Sequence, residues 1–160
     1  MVNFTKIFAT ALLATFAVAA PQPDSNIAHG LSKRAVKSAK DVKCPVTEVD
    51  THGKSWSKEK IEAAVENAGD PDDKVGSFPK EFRYTGTGSW PFKKATPCDS
   101  VKNAGGKIYE TPIMNGVWKG KGDPGPFRVL FAIDGKDQIV CGVTAHSDKN
   151  DKSKIVACEE

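Results

Sequence analysis

The chain has 160 residues, 39% of them hydrophobic and 27% charged, with 23 basic against 20 acidic side chains and a formal net charge of +3. Its first 34 residues hold Lys6, Lys33, Arg34 and Asp24, so the remainder carries 20 basic against 19 acidic groups, a net of +1. That balance excludes a strongly basic nucleic-acid binder, whose footprint is a large excess of lysine and arginine.

The opening stretch MVNFTKIFATALLATFAVAA has an early lysine, an apolar run from Ile7 to Val18, and small residues at Ala17 and Ala19. This pattern predicts a secretory signal peptide over residues 1–20. It is too short and wrongly flanked to span a bilayer, so no stable membrane association is expected. PQPDSNIAHGLSKR is polar, without periodicity, and ends in Lys33-Arg34. It reads as a pro-segment over residues 21–34 closed by a dibasic processing site. Residues 35–160 are then the working domain, secreted and extracellular, of a size that supports one modest core.

In SWSKEKIEAAVENAG, Ser57 is a good N-cap, and Trp56 and Ile61 stand where a hydrophobic staple needs them. Ile61, Ala64, Val65 and Ala68 repeat at i, i+3, i+4 and i+7 before Gly69 ends the pattern, which predicts a helix over 57–68. After Val75 come short β-type runs separated by TGTGSWP, NAGGK, NGVWKGKGDPGP and IDGKD. One helix followed by such a meander predicts an α+β domain, the helix packed on a twisted antiparallel sheet. The lysines bunch at Lys93 and Lys94, Lys102 and Lys107, Lys119 and Lys121, and Lys149, Lys152 and Lys154, all in stretches that read as loops.

All four cysteines, Cys44, Cys98, Cys141 and Cys158, follow the processing site, which in a secreted chain predicts two disulfides. Three pairings are open. No two cysteines have the close spacing of a zinc site, so no metal is expected.

Three of the β-type runs carry an ionisable residue among apolar neighbours: KIYETPI with Glu110, PFRVLFAI with Arg128 and VCGVTAHS with His146. Alternation puts Glu110 on one face with Ile108, Arg128 with Leu130 and Ala132, and His146 with Thr144 and Gly142. Singly, each is ordinary: a histidine at a strand end has reached solvent, and such residues also build structural ion-pair networks. Together on one face they suit cleavage of RNA through its own 2′-hydroxyl. A carboxylate removes the 2′-OH proton, an imidazolium protonates the departing 5′-oxygen, and a guanidinium holds the phosphate as charge builds on it.

FPKEFRY, YETPI, DPGPFRVLF, CGVTAHS and KIVACEE stand in the order seen in the guanyl-specific microbial ribonucleases. The chain more closely resembles their cytotoxic relatives, the fungal ribotoxins of the alpha-sarcin and hirsutellin group, over about Cys44 to Cys158. The resemblance implies Glu110 as general base, Arg128 as phosphate ligand and His146 as general acid, with Cys44 paired to Cys158 and Cys98 to Cys141. It implies a monomer acting without cofactor or metal on RNA to give a 2′,3′-cyclic phosphate, with the ribosome as candidate target inside another cell.

The sequence also departs from the family pattern. Lys80 stands where a second histidine assists the base; it can hold phosphate but is a poor proton acceptor. Phe78 replaces a tyrosine or aspartate that touches phosphate, and Ile155 an aromatic near the scissile group. RYTGTGSW lacks the acidic residue that reads guanine, leaving Tyr84 or Trp90 to stack a base, with Trp90 equally suited to packing. These departures keep a second reading open: a catalytically impaired secreted effector that binds RNA or a host protein on the same scaffold.

Overall fold

A computed structural model describes residues 34–83 and 90–160. In chain order it contains β1 (Ala35–Lys37), β2 (Val42–Cys44), β3 (Lys54–Trp56), α1 (Lys58–Ala68), β4 (Lys80–Glu81), α2 (Asp99–Asn103), β5 (Ile108–Pro112), β6 (Phe127–Asp134), β7 (Asp137–His146) and β8 (Ile155–Ala157). The class is α+β, with one main helix on one face of a six-stranded sheet.

Helix α1 begins at the expected place, but for a different reason. Ser57 occupies the N-cap without a side-chain capping bond, and the Lys58 N–H donates instead to Asp41 Oδ1 at 2.7 Å. A cap taken from before β2 lies beyond any local signal. It contributes about 1 kcal/mol, less than the burial of Ile61 and Val65, each fully enclosed and worth about 1.5–3 kcal/mol. These two and Ala68 pack with Trp56, Phe131 and Val143, and Ala64 lies at the rim of that cluster. Docking of the apolar stripe therefore holds the helix more firmly than its cap does.

Strands run in the order β1-β7-β6-β5-β4, with β8 also on β7. The sheet is not wholly antiparallel: β1 runs parallel to Asp137–Ile139 of β7, while β8 pairs antiparallel with Thr144–His146. Ten-residue β7 thus has two short partners along its outer edge. The small β2–β3 sheet also precedes the helix, where the sequence pattern predicts no strands. Each of its strands has three residues, too few for alternation to register.

A second helix, α2, lies in what reads as loop and carries Lys102. Its signal is Thr96-Pro97-Cys98-Asp99, a turn leading into the helix in which the Thr96 N–H donates to Asp99 Oδ2 at 3.1 Å and the Thr96 hydroxyl to Oδ1 at 2.9 Å. Disulfides join Cys44 to Cys158, and Cys98 to Cys141, the pairs the resemblance implies. One ties β2 to the end of the domain, the other the start of α2 to β7.

Along β6, Phe127, Val129 and Phe131 face the helix, and Arg128, Leu130 and Ala132 the opposite side. Strand β7 changes phase against it. The register passes from Leu130↔Gly142 to Phe131↔Val140, leaving Cys141 as a bulged extra residue. Below the bulge Val140 faces the helix and Ile139 and Cys141 the other side; above it Gly142, Thr144 and His146 take that other side, while Val143 and Ala145 face the helix.

Candidate active site

The sheet face away from α1 has an apolar end and a polar end. At the apolar end Ile108, Leu130, Ala132 and the Cys98–Cys141 bridge pack with Phe82, Trp90 and Phe92. Gly142 belongs there because a Cβ on it would lie 2.5 Å from the Phe92 ring. At the polar end cross-strand pairing sets residues in rows. Lys80 lies opposite Glu110, which lies opposite Leu130; Pro112 lies opposite Arg128, which lies opposite Thr144; His146 lies opposite Ile155. Directly opposed residues share a face, so the strands set Lys80, Glu110, Arg128, His146 and Ile155 on one face, as alternation predicts of Glu110, Arg128 and His146 for neighbouring strands.

Arg128 is held by the turn before it. Asp123 Oδ1 accepts the Gly125 N–H at 2.9 Å, folding Asp123-Pro124-Gly125-Pro126 back over β6. Arg128 Nη1 then donates to the carbonyls of Gly125 and Phe127, each at 2.7 Å, and of Pro124 at 3.3 Å. Its Nε is buried and has no hydrogen-bond partner among the described residues. Burial lowers the guanidinium below its ordinary value, and the charges of Glu110 and then Asp123 oppose that shift. Asp123 is a contributor the sequence reading misses, although its DPGP setting is a turn signal of the usual kind.

Glu110 is buried, and its Oε1 accepts from Lys80 Nζ at 2.9 Å. Beneath the cations lies Phe78, only 4% exposed, with Arg128 Cζ 5.2 Å and Lys80 Nζ 5.4 Å from its ring centre. Phe78 therefore forms a floor under the two charges. Cation–π attraction of about 0.5–2 kcal/mol per pair holds them over it. Trp118 meets the same ring edge-on at 6.0 Å and donates from Nε1 to the Val75 carbonyl at 3.2 Å. The Trp118 loop and the Val75 turn touch at Gly76 and Gly120, both at positive φ, where a Cβ on Gly76 would lie 2.5 Å from the Gly120 carbonyl oxygen.

His146 is half-buried at the end of β7, its backbone N–H bonded to the Pro126 carbonyl at 3.0 Å. Its Nδ1 is buried without a partner among the described residues. Burial, then the positive charge of Arg128, lowers the imidazole below its ordinary value; Glu110 and the Lys152 backbone push it up, and Lys80 down. Arg128, Glu110 and Lys80 thus all lie within electrostatic reach of the imidazole.

Trp90 packs edge-on against Phe92 at 5.3 Å and Phe82 at 6.4 Å under the Lys102 ammonium, a packing role. Tyr84 lies outside the described residues. Among the described residues no group of three His, Cys, Asp or Glu side chains is placed to hold a metal, and no helix is long and apolar enough to cross a membrane.

The family model described as ribonuclease matches residues 44–159, from the end of β2 past β8. This chain belongs to the ribonuclease family. The matched span contains Lys80, Glu110, Arg128 and His146 together with both disulfides. A comparison with curated proteins finds no match. RNA is thus the substrate class, and the polar end of this sheet face gathers a carboxylate, a guanidinium and an imidazole.

Proposed function

We propose that this ribonuclease is a secreted endonuclease of the ribotoxin-like branch, released from a signal peptide over residues 1–20 and a pro-segment over 21–34, and that ribosomal RNA is its target. Glu110 takes the 2′-OH proton, the 2′-oxygen attacks phosphorus, and His146 protonates the departing 5′-oxygen, giving a 2′,3′-cyclic phosphate and a 5′-hydroxyl. Arg128 holds the non-bridging oxygens as their charge grows, and no metal takes part. The observation that carries this reading is the placement of Arg128: three carbonyls fix Nη1, which holds the guanidinium on the face shared with Glu110 and His146. A guanidinium held there opposes the negative charge that grows on a phosphate in the transition state. Lys80 supplies a second positive charge and, through Glu110 Oε1, leaves the other carboxylate oxygen to accept the proton.

Incubation with intact ribosomes, naked RNA and a dinucleotide in the presence of chelator tests this. One discrete ribosomal fragment supports the proposal. Broad degradation of naked RNA makes the protein a general ribonuclease, and RNA binding without product makes it the impaired effector, a reading that draws on Lys80 standing where a proton acceptor would assist.

The pH profile has a defined sign. His146 must be protonated to act as acid, and its pKa lies below its ordinary value of 6.5. The alkaline limb of kcat/KM, which reports free enzyme, is therefore expected below pH 6.5. Bound phosphate offsets the Arg128 and Lys80 charges that depress the imidazole, so the corresponding limb of kcat is expected at higher pH. Coinciding limbs would show that those cations do not govern the acid. The same depression means the fold favours neutral imidazole, so its contribution to stability is present above pH 6.5 and lost as pH falls through the folded value.

A further inference from the structure

Arg34, the second member of the dibasic pair, is built into the fold. Its Nη1 donates to the Gly135 carbonyl at 2.6 Å in the β6–β7 turn, and its Nη2 pairs with Asp70 Oδ2 at 2.9 Å, just beyond α1. The Arg34 guanidinium lowers the Asp70 carboxyl below its ordinary value. The residues that follow are equally engaged. Ala35, Val36 and Lys37 pair in register with Asp137, Gln138 and Ile139; Lys37 makes an ion pair with Asp137; and Val36 packs on the main core. Gln138 in turn donates to the Gly69 carbonyl at 2.9 Å, so helix end, turn and strand meet at this corner.

An endoprotease needs its substrate extended in its own cleft, with the side chain before the scissile bond in a specificity pocket. The Arg34 guanidinium cannot occupy that pocket while bound to Asp70 and Gly135, nor can Ala35–Lys37 line a foreign cleft while paired with β7. We propose that the Arg34–Ala35 bond is a processing site closed by the fold, which an arginine-directed endoprotease cuts readily only while β1 is undocked from β7. Hydrolysis adds one water across the amide, leaving a carboxylate on Arg34 and an ammonium on Ala35. Removal of the leading segment is thereby confined to chains still folding or to openings of this sheet edge, and a chain that folds first keeps Arg34.

The test uses the full-length chain, refolded with both disulfides formed, an arginine-specific endoprotease, and mass spectrometry of the fragment that starts at Ala35. Exposed Arg83 is the internal reference. Cleavage after Arg34 is expected to be about tenfold or more slower in the folded chain than in the reduced, unfolded one. Asp70→Asn, a surface change that removes a partly exposed ion pair, is expected to speed it about two- to fivefold. Val36→Asp, which drives a charge out of the core, is expected to speed it about tenfold or more, with cleavage after Arg83 unchanged. Equal rates in folded and unfolded wild type would overturn the proposal. So would slow cleavage that neither variant accelerates.

Discussion

Replacing His146 by glutamine is expected to lower turnover about 10²- to 10⁴-fold, the usual contribution of a positioned general acid, while leaving RNA affinity close to that of the unchanged protein. The two effects separate because different groups carry them. On the proposed mechanism, attraction for phosphate comes from Arg128 and Lys80, which glutamine leaves in place over Phe78. Glutamine preserves a polar side chain beside Ile155 but cannot deliver a proton to the 5′-oxygen. Single-turnover cleavage and equilibrium binding of the same RNA measure the two quantities. Wild-type cleavage by a nuclease-free His146→Gln preparation would show that another group is the acid. Lys80→Ala gives a contrasting pattern under the same proposal: weaker binding together with slower cleavage, because it removes a phosphate ligand and the 2.9 Å partner of Glu110.

Loss of the Cys44–Cys158 bridge should be the largest single blow to stability. Removing a native disulfide from a small secreted domain typically costs about 2–5 kcal/mol, a large share of what such a domain has. This bridge spans 114 residues against 43 for Cys98–Cys141. In the chain-entropy model that difference makes it worth about 0.9 kcal/mol more. Equilibrium denaturation of the Cys44→Ala/Cys158→Ala and Cys98→Ala/Cys141→Ala double variants compares them directly. The opposite ranking would mean that local packing around Phe92 and Trp90, and not loop closure, sets the value of these cross-links.

Residues whose partners lie close in sequence, or whose pattern is long, were legible in advance. Ile61, Ala64, Val65 and Ala68 declare α1, and alternation within three strands puts Glu110, Arg128 and His146 on one face once the strands are neighbours. What escaped depends on distant partners. Asp41 caps a helix seventeen positions away, β1 is a strand only because β7 offers it an edge, and Phe78 becomes a floor only because two cations from β4 and β6 settle on it. Helix α2 was in principle readable from Thr96 and Asp99, but five residues bracketed by Pro97 and Gly105 carry little periodic signal. The Arg128 clamp is half legible: DPGP announces a turn, but not that its carbonyls will saturate Nη1 and leave Nε over.

The bulge at Cys141 gives β7 a reading frame. Cys141 and His146 are five residues apart, an odd spacing that in a regular strand sends the sulfur and the imidazole to opposite sides, yet here both serve the same side. Deleting one residue at the bulge would restore regular alternation and force a choice. Either the thiol turns away from Cys98, or the imidazole turns into the space that Val143 and Ala145 fill against the helix side. The loop between β7 and β8 carries no such phase, since length added there re-enters at Ile155 without rotating what precedes it. Insertions and deletions should therefore be tolerated after His146 and rejected just before Gly142, so variation in chain length among descendants of this sequence would collect on one side of the histidine only.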